Sequence, residues 1–226
     1  PPKDVLLSVR AGKIRPLGGV KIRSAINKLA RPGRVRVTEL GIPGDESEFV
    51  MAGGPERALH QYCSALYAVW NTEVPDRQHL FKIGGFGENL SAALLHEGNV
   101  CIGDKFRIGP EVVIQVTQPR SPCYKLNHRF QHSKTSLMAQ NTGRTGWHNR
   151  VLKTGHIQEG DAIELAERTN PHWPISRVVH YLYQETDNID AMVELTRLPA
   201  LGEETADVFR KRLSRGTEDF SGRLDG

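Results

Sequence analysis

Short alternations of apolar and polar residues dominate the first three quarters of the chain. Val35 and Val37 alternate with Arg36 and Thr38. Val112, Ile114 and Val116 alternate with Val113, Gln115 and Thr117. A period of two is expected of strands with one face buried and the other not. One small unit recurs: Gly103-Asp104 precedes Phe106 and Ile108, and Gly160-Asp161 precedes Ile163 and Leu165. In both, a turn-forming Gly-Asp launches an alternating strand, which predicts two strands entering one sheet or barrel. Helical spacing is predicted after Pro55, which suits the first position of a helix. Leu59, Tyr62, Leu66, Val69 and Trp70 would form its inward stripe, with Arg57, His60, Gln61 and Ser64 on another face. A shorter helix is predicted over 133–140, ended by Asn141-Thr142-Gly143.

The pattern changes at Asn170-Pro171-His172-Trp173-Pro174, which breaks any regular element. We read 1–169 as one domain and 170–226 as a helical region with a tail. Ile175, Val178, Val179 and Leu182 form one stripe. Ile189, Met192 and Val193 form a second, capped by Asp187 or Asn188. Residues 203–213 form a third helix, acidic at its start and basic at its end, as the helix dipole favours. Each is marginal alone, so the three are expected to pack together or onto the main body. The fold class is therefore mainly β with α.

Length and composition narrow the function classes. At 226 residues the chain can bury a core without staples, and three cysteines are too few for a disulfide scaffold. No run approaches the roughly 18 apolar residues of a membrane span, and Pro1 to Arg10 does not read as a signal peptide. A soluble cytoplasmic protein in a reducing compartment, not bound to a membrane, is the expectation. The net charge of +4 permits an anionic ligand. The basic residues are spread along the chain without an aromatic-basic strand motif, so no nucleic-acid partner is expected.

Candidate chemistry concentrates in Gln118-Pro119-Arg120-Ser121-Pro122-Cys123-Tyr124-Lys125-Leu126-Asn127, directly after a predicted strand. Two prolines stiffen the loop, and Arg120 and Lys125 would favour the thiolate of Cys123, the form that attacks electrophiles and binds metals. A lone cysteine can equally be a small buried hydrophobe, the reading that suits Cys63 and Cys101. Gly53-Gly54-Pro55 could bring backbone amides to a phosphate, helped by Arg57 and His60; a turn before an ordinary surface face is the plainer reading. In Gly84-Gly85-Phe86-Gly87-Glu88-Asn89, Glu88 and Asn89 could read the edge of a heterocycle, or Asn89 could bond its own backbone. Asn141 to Trp147 reads as a rim or as a polar surface loop. Zinc-spaced cysteine pairs, His-Glu-x-x-His, the Walker loop, the Rossmann fingerprint and Gly-x-Ser-x-Gly are all absent.

Taken in order, these segments resemble the MOSC domain, the C-terminal domain type of molybdenum-cofactor sulfurases, and within it the YiiM-like group. The matching stretches are Thr38 to Asp45, Gly53 to Tyr62, Phe86 to Leu90, Asn99 to Asp104, Gln118 to Asn127, Gln140 to Gly143 with Gly146-Trp147, Lys211 to Ser214 and Glu218 to Ser221. The resemblance departs at Ala52, where the group usually carries His; His60 is the candidate to compensate. It implies a barrel-like β domain followed by three helices. It also implies molybdopterin, the pterin form of the molybdenum cofactor, with Cys123 as the metal's thiolate ligand and catalytic centre. Gly53, Gly54, Arg57, His60, Glu88, Asn89, Arg120, Lys125 and Asn127 would bind the cofactor. Pyridoxal phosphate binding is a further association of the family. The activity implied is reduction of small N-hydroxylated compounds such as 6-hydroxylaminopurine. Electrons would come from a separate flavin or iron–sulfur reductase, since the chain has no motif for either centre. Two other roles fit the resemblance: a sulfur carrier through a Cys123 persulfide, and a cofactor carrier without catalysis. The apolar faces of the C-terminal helices could pair two chains into a homodimer.

Overall fold

In the computed structural model, residues 2–18, 21–46 and 54–226 are described. Their strands are β1 (Lys3–Val5), β2 (Ser8–Ala11), β3 (Arg15–Pro16), β4 (Arg23–Ser24), β5 (Leu29–Ala30), β6 (Val35–Val37), β7 (Leu59–Cys63), β8 (Leu90–Ala92), β9 (Lys105–Ile108), β10 (Val112–Pro119), β11 (Trp147–Lys153), β12 (Gly155–Ile157) and β13 (Ala162–Glu167). The helices are α1 (Leu66–Glu73), α2 (Lys125–Phe130), α3 (Thr135–Thr142), α4 (Ile175–Tyr183), α5 (Ile189–Thr196), α6 (Glu203–Arg215) and α7 (Ser221–Asp225).

The main sheet runs β1-β13-β9-β10-β11-β7-β8-β2-β5. Only β7 and β8 pair in parallel; the other ladders are antiparallel. The two Gly-Asp strands, β9 and β13, are neighbours, with Phe106 opposite Leu165 and Ile108 opposite Ile163. The series is open, not a closed barrel. Its two ends are nevertheless linked by one bent N-terminal segment: β1 pairs with β13 and β2 with β8. At the bend, the Leu6 amide donates to the Asp161 carbonyl and the Leu7 amide to the Ser91 carbonyl.

The helix expected after Pro55 is corrected by the structure. Gly54–Arg57 is a short 3-10 turn, Leu59–Cys63 is strand β7, and the helix begins only at Leu66. All five residues of β7 are buried, because the strand lies between β11 and β8 inside the sheet. A strand covered on both faces loses its period of two, so Leu59 and Tyr62 fall at helical spacing by coincidence. The shorter predicted helix appears as α3, two residues later than expected, and ends at Gly143 with φ of 74°.

The three C-terminal helices form where their stripes predict. Asn188 caps α5 by accepting from the Ala191 amide at 2.9 Å. Their apolar faces join the sheet in one continuous core that includes Val9, Val116, Ile175, Leu195 and Phe209. The docking is also hydrogen-bonded: the Ile102 amide donates to the Trp173 carbonyl and the Ile175 amide to the Val100 carbonyl. Gly202, just before α6, approaches β10 so closely that an added Cβ would lie 2.0 Å from Gln118 Oε1. A second core lies under α1, α2 and α3, where Phe81 stacks on Phe130 at 4.0 Å. Among the described residues, no helix is long and apolar enough to cross a membrane.

Candidate active site

Three neighbouring strands build one wall of the site. Register places His60 of β7 opposite His148 of β11, and His148 opposite Gln118 of β10. Opposed residues share a sheet face, so Gln118, His148 and His60 form a polar row across the strands. The two imidazole centroids are 5.2 Å apart. Arg120 follows two residues after Gln118, and its amide donates to the Gly146 carbonyl at 3.0 Å. Arg57 enters from the 3-10 turn that precedes β7. Arg57, His60, Gln118, Arg120 and His148 are all buried.

Cys123 stands in the loop between β10 and α2 and is only half-buried, whereas Cys63 and Cys101 are buried. Burial lowers the pKa of Arg57, opposed by the charges of Glu204 and Cys123. Burial likewise lowers that of Arg120, opposed first by Cys123. Both guanidiniums are therefore within electrostatic reach of the Cys123 sulfur. Burial, reinforced by Arg120, pushes His60 down to about 3. His148 is also driven well down, by burial and then by His60, Arg57 and Arg120. Both imidazoles are neutral at pH 7, each with one donor and one acceptor nitrogen. The positive charge of the wall thus belongs to the guanidiniums. By contrast, desolvation raises the thiol pKa values of Cys63 and Cys101, as fits packing residues.

The C-terminal helices complete the site. Glu204, in the first turn of α6, pairs with Arg57 at 2.5 Å and accepts from Gln118 Nε2 at 2.8 Å. Tyr183, at the end of α4, donates to Ser121 Oγ at 3.3 Å. The sequence shows Glu204 only as part of an acidic helix start and gives no sign of what Tyr183 meets, since an apolar stripe does not say what the polar positions of a helix touch. His148 is hidden because no strand is evident in 147–153 without the ladder around it.

The predicted residues divide in two. Arg57, His60, Arg120 and Cys123 come together, although Arg57 and His60 meet through a turn and a strand instead of one helix face. Lys125 opens α2, half-buried. Gly53, with Ala52, lies outside the described residues, and Gly54 begins a four-residue 3-10 turn, not an α-helix. Glu88 is turned inward: its Oε1 accepts from the Gly84 amide, Tyr67 Oη and Ser91 Oγ at 2.6, 2.9 and 3.2 Å. Asn89 accepts from the His60 amide and donates to the Arg10 carbonyl and to Asp45. Asn127 donates to the Leu224 carbonyl and accepts from the Ser136 amide. Glu88, Asn89 and Asn127 thus use most of their polar atoms in bonds within the fold, although Glu88 Oε2 has no hydrogen-bond partner among the described residues. A cavity of about 590 Å³ includes Asn127, His128, His132 and Asp225 in its lining, but not Cys123 or the arginine pair.

The donor set suits a ligand that is anionic and brings a soft metal with ligands of its own. Cys123 offers one soft sulfur, and two guanidiniums offer planar donors for an anion. Gln118 Oε1, in a residue 2% exposed, has no hydrogen-bond partner among the described residues. No group of three or more His, Cys, Asp or Glu able to hold a metal ion exists among the described residues. A metal at Cys123 would need ligands beyond any such group of the described residues.

Comparison with known proteins shows the family. The model of the MOSC domain matches residues 48–164, and that of the YiiM-like, 3-alpha helix domain matches 173–216. The chain is 39% identical to Protein YiiM of Escherichia coli over 222 residues, covering 97% of this chain and 98% of the relative. It is also 39% identical to a Gibberella moniliformis protein named Reductase, over 98% of this chain but only 39% of that longer protein. The crystal structure of Escherichia coli YiiM superposes with a TM-score of 0.84 at 34% identity, each chain covered in full. That of YiiM from Geobacillus stearothermophilus gives 0.80 at 30% identity, covering 94% of this chain and all of the other. The chain belongs to the MOSC domain family, in the YiiM-like group that carries a three-helix domain after it.

Proposed function

We propose that the protein binds the molybdenum cofactor at Cys123 and reduces small N-hydroxylated compounds. The observation that carries this reading is the half-buried Cys123 sulfur within electrostatic reach of two buried guanidiniums, Arg57 and Arg120. Cys123 would hold the metal as a thiolate, while Arg57, Arg120 and Lys125 would bind the cofactor's anionic end. Gln118 and the neutral pair His60 and His148 would offer hydrogen bonds to its uncharged edge. When bound, the cofactor supplies two-electron oxygen-atom chemistry that side chains cannot perform. The chain's residues bind and orient, and the buried wall excludes water from one side.

The net reaction takes an N-hydroxyl compound, two electrons and two protons to the parent amine and water, with cleavage of the N–O bond. Both electrons must come from outside the cofactor site, and we assign them to a separate flavin or iron–sulfur reductase. The Gibberella relative named Reductase supports a reductive role, and it extends well beyond the segment matched here. The test is loss of 6-hydroxylaminopurine by protein purified from a host that makes the cofactor, with a chemical reductant supplied. Metallated protein should turn over, and Cys123→Ser should remove most of that turnover. Fully metallated protein without turnover contradicts the proposal. A persulfide on Cys123 in the intact mass, with no metal, would instead indicate sulfur transfer.

A further inference from the structure

The last residues of the chain cross the Cys123 loop. Helix α7 follows an irregular stretch in which Glu218 pairs with Arg212 of α6 at 2.7 Å. From there Leu224 is buried, and its carbonyl accepts from Asn127 Nδ2 and Ser136 Oγ, each at 3.0 Å. Arg223 touches the loop on both sides of the cysteine. Its guanidinium donates to the Pro122 carbonyl, and its own carbonyl accepts from the Tyr124 amide at 2.9 Å. The same guanidinium donates to Gln140 Oε1 of α3 and lies 5.0 Å from the Tyr183 ring centroid and 5.7 Å from that of Phe220. Tyr183 in turn bonds Ser121, two residues before Cys123.

We propose that Arg223 is a positioning residue that fixes the Cys123 loop from both flanks, so that the thiol is presented toward Arg57 and Arg120. This inference rests on the reading of Cys123 as the cofactor's ligand for its consequence; the bonding itself does not depend on that reading. Arg223 meets Pro122 at the one main-chain hydrogen-bonding group that a proline has, its carbonyl. Arginine suits the task, since its planar fork can serve Pro122 and Gln140 together while its face packs on aromatic rings. A lysine would reach one acceptor at a time.

The experiment compares wild type, Arg223→Ala and Arg223→Lys by amide hydrogen exchange and by molybdenum content after purification from a cofactor-making host. Arg223→Ala loses the guanidinium's bonds to Pro122 and Gln140 but keeps the carbonyl that accepts from Tyr124; with α7 held less firmly on the loop, exchange over residues 123–126 should rise about tenfold, with β10 and β11 unchanged. Molybdenum per chain should fall by about half or more, and Arg223→Lys should restore most of both. Unchanged exchange at 123–126 overturns the proposal, as does equal acceleration throughout the sheet, which would show a merely structural role. If the alanine variant does not fold, the lysine variant decides, with about threefold acceleration confined to the same segment. Wild type lacking molybdenum would count against the cofactor reading and leave the exchange result standing.

Discussion

Two polar segments of this chain, 84–91 and 118–123, use similar chemistry for opposite ends. In the first, Glu88 Oε1 accepts from the Gly84 amide and Tyr67, and Asn89 bonds the His60 amide and Asp45, while Glu88 Oε2 has no partner among the described residues. Burial raises the Glu88 pKa, and the bonds it accepts hold it down only in part. In the second, Gln118 likewise keeps one oxygen without a partner among the described residues, but here Arg120 shares its surroundings with Arg57 and the half-buried Cys123. Glu88 and Asn89 are bonded mostly within the fold, whereas the buried cations beside half-buried Cys123 are the groups we propose hold an anion. Burial alone does not distinguish the two; the partners do.

The largest expected effect falls on the second segment. Arg120→Gln should weaken cofactor retention about 100-fold, as loss of charge-assisted bonds in a buried site implies, with little change in the melting of the apoprotein. Molybdenum retained after gel filtration measures it. Asn89→Ala should act in the opposite sense, costing about 2–4 kcal/mol in urea unfolding by leaving buried backbone groups unmatched. Metal content per folded chain should stay near wild type. Equal losses of metal in both variants would erase the contrast.

The pH dependence of stability sharpens it further. The unfolded chain takes up a proton at His60 near its ordinary 6.5, but the folded chain does so only near about 3. The unfolded state therefore binds more protons between those values, and stability falls as pH drops through that window. His60→Gln should remove up to about 1.4 kcal/mol per pH unit of this slope, read from urea melts between pH 6.5 and 4. The smallest effect is expected of Glu204→Gln. Removing the partly exposed counter-charge from Arg57 should tighten binding of inorganic phosphate by about threefold, measured by calorimetry.

Much of this arrangement is legible in the sequence where local chemistry decides it. The Gly-Asp turns announce β9 and β13, and the stripes with the Asn188 cap announce the C-terminal helices. Arg120 and Cys123 stand three residues apart in one short loop, so their nearness is legible, while the role proposed for Cys123 comes from the resemblance. What is not legible depends on long-range pairing. Strand β7 reads as helix because both its faces are covered, and His148 enters the site only through the β7–β11 register. Glu204 and Arg223 reach the site from the C-terminal region, 147 and 101 residues away from their partners Arg57 and Pro122. Asn89 and Asn127 look like ligand readers in the sequence because an asparagine bonding backbone and one bonding a ligand have the same letter.

The central claim is that Cys123 is the protein's ligand to a molybdenum cofactor. Elemental analysis of wild type and Cys123→Ser, both purified from a host that makes the cofactor, tests it most directly. The account predicts about one molybdenum per wild-type chain and little or none in the folded variant, since serine does not replace a soft thiolate. Wild type free of molybdenum, or a serine variant that holds as much as wild type, would contradict it.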